Sequence, residues 1–140
     1  MIGNVLTKIA KLGHEIGESI DKENRRVILN LVEGTHSSKI LDLGCGSGEL
    51  TKEIGKRVGS NELYGVEIVE KYAQLAESNG IKVYRADLNK PFPIESESFD
   101  LVCANQVIEH LHQTDLFIKE IYRILKWGVC NHFNAKFSSS

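Results

Sequence analysis

Short apolar runs along this chain alternate with amphipathic stretches, and glycine or a charged residue closes most of them. Ile40, Leu41 and Leu43 form the first such run and read as a buried strand. Leu50, Ile54 and Val58 then recur at four-residue steps, the stripe of a helix that Gly59 ends. Leu63-Tyr64-Gly65-Val66 predicts a second strand that stops at Glu67, and Ile81-Lys82-Val83-Tyr84 a third. Between them, Val69 to Ser78 predicts a helix with Tyr72, Ala73, Leu75 and Ala76 on its apolar side and Asn79-Gly80 as its stop. Phe99 to Ala104 reads as a fourth strand. Thr114 is placed to cap a last helix, whose Phe117, Ile118, Ile121, Tyr122, Ile124 and Leu125 make a broad apolar face.

The two ends carry weaker patterns. Val5, Leu6, Ile9, Ala10 and Leu12 fall near helical spacing, but Gly13 and Gly17 interrupt, so residues up to Ile20 predict a weak, frayed helix. Asp21 is then expected to cap a firmer helix running through Val32 and closed by Gly34. Residues 1–34 thus read as a helical segment that either packs against the sheet or covers a pocket as a lid. Asn131 to Ser140 shows no strand alternation and reads as a polar tail.

Strands alternating with helices imply an α/β fold, a parallel sheet with right-handed crossovers. The chain has 140 residues and 41% hydrophobic content, enough for one compact domain with a real core. Its formal net charge of −2, with both signs interspersed, creates no basic field, so no nucleic-acid partner is indicated. Cys45, Cys103 and Cys130 show no C-x-x-C pairing and read as reduced side chains. No membrane span and no apolar secretory core stand out, and a soluble, cytoplasmic protein is expected.

The candidate chemistry starts at Leu41-Asp42-Leu43-Gly44-Cys45-Gly46-Ser47-Gly48. Glycines there permit positive φ and let a ligand approach the backbone, and the site belongs at the strand's carboxyl end. A dinucleotide fingerprint would carry a third glycine where this chain has Glu49. That carboxylate suits a helix N-terminus and opposes a nearby pyrophosphate. With Asp42 also acidic, a cofactor with a cationic end fits better. Glu67 follows Gly48 by about 20 residues, the distance at which an acidic strand tip accepts both hydroxyls of a ribose. As an isolated glutamate it reads equally as a charged strand end facing water.

The segment Leu41 to Gly48 resembles the first motif of class I S-adenosylmethionine-dependent methyltransferases, of the small-molecule type. The resemblance implies a Rossmann-like sheet in strand order 3-2-1-4 with helices on both faces and the ligand outside strands one and four. It places the cofactor's amino-acid end over Asp42, Gly44, Cys45, Gly46 and Gly48, and its ribose beside Glu67 and Ile68. Asp87 would accept from the adenine amine while Leu88 packs on the ring; Asp87 reads alternatively as the start of the turn before Pro91-Phe92-Pro93. Asn105 and Gln106 leave the fourth strand toward the methionine part and the acceptor. Gln106, Glu109 and His110 share one face if that exit is helical. A similar face binds a divalent ion in some quinone-forming members. Gln106 stands in place of a carboxylate here, and no metal is expected. His110 is left as a structural residue or a general base.

The resemblance covers Lys39 to Lys126. Arg123-Ile124-Leu125-Lys126 is followed by Trp127-Gly128, where the family continues with Pro-Gly-Gly and a fifth strand. The expectation is therefore a cofactor domain over residues 35–130, with a polar tail over 131–140 and without the usual last strands. The implied activity is methyl transfer from S-adenosylmethionine to a small-molecule acceptor, with no catalytic side chain named. A shortened, non-catalytic binding or interaction module is the alternative, and a nicotinamide-linked oxidoreductase a more remote one. Without a fifth neighbour the fourth strand would be an open edge, inviting a homodimer or partner there or a fold-back of Val129 to Phe133.

Overall fold

A computed structural model of the protein describes residues 2–126. The chain divides into two compact units, one ending at Leu31 and the other starting at Val32. The first is a single helix, α1 (Ile2–Leu31). Neither predicted break occurs: Gly13 and Gly17 lie inside the helix, and Asp21 pairs at 3.2 Å with Arg25 instead of capping. Each glycine costs about 1 kcal/mol in a helix interior. The stripe Val5, Ile9, Leu12, Ile16 and Ile20 continues across both, supported by Lys11–Glu15 and His14–Glu18 contacts at i, i+4.

The second unit is an α/β layer structure: β1 (Ile40–Leu43), α2 (Glu49–Val58), β2 (Leu63–Val66), α3 (Glu70–Ser78), β3 (Lys82–Tyr84), β4 (Leu101–Ala104), a 3₁₀ turn (Ile108–His110) and α4 (Thr114–Ile124). The four strands are parallel in the order β3-β2-β1-β4. β1 is buried along its whole length. Its alternate side chains feed two layers. Leu41 and Leu43 join Phe99, Phe117, Ile121 and Ile124 beneath α4, while Asp42 faces α2. α4 also anchors the loop before β4: Glu120 accepts from Phe92 N–H at 2.7 Å and from both sides of the Arg123 guanidinium, whose Nη1 donates to the Ile94 carbonyl at 2.7 Å.

Several details differ from the sequence expectation, among them an exposed Tyr122 on α4 and a third strand that starts at Lys82 rather than Ile81. Tyr72 and Leu75 are exposed, and only Ala73 and Ala76 of α3 are buried, because small side chains bring that helix against Cys45 and Ile81. β4 proper starts at Leu101, and Phe99 makes an isolated parallel bridge with Leu125. Thr114 is the first residue of α4 rather than its cap, and Gln113 holds the cap position without a side-chain bond. Leu125 therefore takes the place beside Phe99 where a fifth strand would start, with Lys126 N–H on the Phe99 carbonyl at 2.9 Å. The Val129 to Phe133 fold-back and the 131–140 tail lie outside the described residues.

Candidate functional site

The carboxyl ends of β1, β2 and β4 and the segment after β3 surround a cleft of about 270 Å³. Its first wall is the glycine loop. Gly44, Gly46 and Gly48 have φ of +74°, +54° and +82°. The N–H groups of Gly44 and Cys45 both donate to the Val66 carbonyl, at 2.8 and 3.0 Å, so the loop folds down over β2. Gly65 makes that possible, since a Cβ there would overlap Cys45 Sγ. Gly46 N–H then donates to Glu67 Oε2 at 3.0 Å, while Val69 N–H donates to Oε1 at 2.8 Å. Asn79 Nδ2 holds the Ser47 carbonyl at 2.9 Å.

Behind this wall Thr51 Oγ1 donates to Asp42 Oδ2 at 2.7 Å. Burial pushes the Asp42 carboxyl up to about 6, with a smaller upward push from the Glu67 carboxylate, against the lowering effect of the Thr51 bond. Burial likewise raises the Cys45 thiol to about 12 and Cys103 well above its ordinary value, so both act as small apolar groups.

The second wall follows β3. Asp87 Oδ1 accepts from the backbone N–H of Asn89 at 2.9 Å, which holds the carboxyl below its usual range, so the turn reading of this residue is realised. Asp87 also lines the cleft, with Leu88. Asn89 Oδ1 in turn accepts from His112 N–H at 2.7 Å and Gln113 N–H at 3.2 Å, tying the loop after β3 to the start of α4.

The third wall is the β4 exit. Asn105 Oδ1 is buried and has no hydrogen-bond partner among the described residues. Gln106 holds φ +54°, a region that side chains rarely adopt. Val107 closes on the glycine loop so tightly that a Cβ at Gly44 would come 2.8 Å from its Cγ2. Because helical geometry starts only after Val107, Gln106, Glu109 and His110 share no helical face. Gln106 and His110 line the cleft; Glu109 does not. No group of three or more His, Cys, Asp or Glu among the described residues could hold a metal ion.

Of the residues singled out from sequence, Gly44, Glu67, Ile68, Asp87, Leu88, Asn105 and Gln106 line the cleft. Asp42, Cys45, Gly46 and Gly48 do not; they shape the loop from behind or from its far side. Sequence reasoning missed Thr51, Gly65 and Asn89. Only Gly65 carried a signal, a glycine inside a strand marking close backbone approach.

A family model described as "Methyltransferase domain" matches residues 41–129. The mitochondrial ubiquinone biosynthesis O-methyltransferase of Rattus norvegicus is 32% identical over 99 residues, covering 64% of this chain and 28% of that protein. The malonyl-[acyl-carrier protein] O-methyltransferase of Legionella pneumophila is 29% identical over 135 residues, covering 91% of this chain and 44% of that one. Among solved structures, an S-adenosylmethionine-dependent methyltransferase from Mesorhizobium loti superposes with a TM-score of 0.62 at 26% identity, over 74% of this chain and 48% of its own. The chain spans less than half the length of each of these three proteins.

Proposed function

The chain belongs to the methyltransferase domain family, and we propose that its cleft binds S-adenosylmethionine and presents it to a small-molecule methyl acceptor. The observation that carries this reading is the polarity of the lining. Glu67, Asp87 and Asn105 line the cleft beside apolar Ile68, Leu88 and Val107, and no lysine or arginine lines it among the described residues. Such a lining suits a ligand with an ammonium, a ribose diol, an exocyclic amine and a flat ring. A diphosphate would meet like charge with no cation to balance it.

The residues divide the work as follows. Glu67, already fixed by Gly46 and Val69, keeps lone pairs for the ribose hydroxyls. Asp87 and Leu88 take the adenine edge and face, and the glycine loop with Asn105 takes the amino-acid end. The bound cofactor supplies a sulfonium-activated methyl group, so what the protein contributes is alignment and exclusion of water. A relative named for ubiquinone biosynthesis supports a small organic acceptor.

Calorimetric titration of the purified chain with S-adenosylmethionine and with NAD tests the reading. Saturable binding of the first and none of the second is expected. The reverse result would replace methyl transfer with nicotinamide chemistry.

A further inference from the structure

The first unit, taken by itself, is one helix with an apolar seam. Val5, Ile9, Leu12, Ile16 and Ile20 are 54%, 61%, 56%, 51% and 51% exposed. From Val5 to Ile16 their steps are four, three and four, the spacing of a coiled-coil seam. Along one flank Lys8 and Glu15 stand one heptad apart. On the other side lie Gly13 and Gly17, where an added Cβ would meet nothing within 4 Å. These glycines weaken a lone helix, and they leave room for another backbone to come close.

We propose that α1 pairs antiparallel with α1 of a second copy of this chain. Charge selects both occupant and direction. In a symmetric antiparallel pair, Lys8 of each copy lies beside Glu15 of the other, giving two ion pairs across the seam. Within its own helix Glu15 makes an exposed 4.0 Å contact with Lys11, and that contact can be shared. A parallel pair would set Lys8 against Gly13 and Glu15 against Ile20, with no charge pairing. A membrane surface is disfavoured, because Lys8, Lys11, Lys22, Arg25 and Arg26 are balanced by Glu15, Glu18, Asp21 and Glu23 on the same helix.

Sedimentation equilibrium of the full chain across micromolar concentrations tests the proposal. The wild type is expected to dimerise, and Ile9→Glu combined with Ile16→Glu to be monomeric with an unchanged circular dichroism spectrum of the α/β unit. Lys8→Glu or Glu15→Lys alone should weaken dimerisation about three- to tenfold by setting like charges together, and the double reversal should restore it. A monomeric wild type overturns the proposal. So does a dimer that survives the two seam substitutions, which would place the contact on the β4 edge. Indifference to single reversals overturns the antiparallel direction, and flotation of the chain with vesicles of anionic lipid would assign the seam to a membrane instead.

Discussion

Along the β1–β2 wall of the cleft four backbone donors are already engaged: Gly46 N–H and Val69 N–H on Glu67, Gly44 and Cys45 N–H on Val66. Across the gap, at the β4 exit, Asn105 Oδ1 has no partner among the described residues and Gln106 holds a left-handed backbone. One wall is assembled before any ligand arrives, and the other keeps an unmet acceptor and local strain. Internal bonding preorganises the side that the sheet itself fixes. The side built from an irregular loop stores its cost at the point where ligand and acceptor would meet.

The largest effect expected from this contrast lies under the rigid wall. Asp42, with its carboxyl raised from 3.8 to about 6 in the fold, favours the protonated form there. Its contribution is present at acid pH and is lost as pH rises through about 6. By linkage the loss is about 3 kcal/mol. Urea unfolding of wild type and Asp42→Asn should therefore diverge by about that much between pH 4 and pH 7, in favour of the variant at neutral pH. Parallel pH profiles would mean that Asp42 is solvated.

Next comes Glu67→Ala, which removes charge-assisted bonds worth roughly 1.5–3 kcal/mol and should weaken S-adenosylmethionine binding about ten- to hundredfold by calorimetry. Unchanged affinity would take Glu67 out of the site. Gly65→Ala drives a methyl into Cys45 and should cost about 1–3 kcal/mol of stability, read as a lower denaturant midpoint with an unchanged slope.

The smallest effect belongs to the strained wall and has the opposite sign. Gln106→Gly should raise stability by up to about 1 kcal/mol, since glycine accepts φ +54° without the side-chain penalty. A fall in the midpoint would show that the Gln106 side chain holds the loop and that the wall is not strained.

Most of the fold was legible because β1 and β4 are buried apolar runs, β2 is an apolar run half-buried at its start, and the glycines that stop α2 and α3 act locally. What escaped the sequence depends on distance in the chain. Nothing near Thr51 announces that Asp42 sits under it, and Asn89 before a proline turn looks like turn chemistry until His112 and Gln113 come into view. In α1 the error ran the other way. Two glycines and Asp21 looked like boundaries, yet the continuous stripe outweighed them. The glycine motif and the two acidic strand ends pointed to the cleft that Gly44, Glu67 and Asp87 line, while the 3₁₀ geometry after Val107 separated Glu109 from His110 in a way that residue spacing concealed.

The Asn89 clamp has a consequence in time. With one side-chain oxygen of the cleft-lining Asn89 holding two backbone N–H groups, the His112 and Gln113 amides can trade their hydrogens for deuterium only while that oxygen has let go. Their exchange rates are thus a clock for how often the loop after β3 and the start of α4 part. A ligand seated against Asn89 should slow both hands of that clock together.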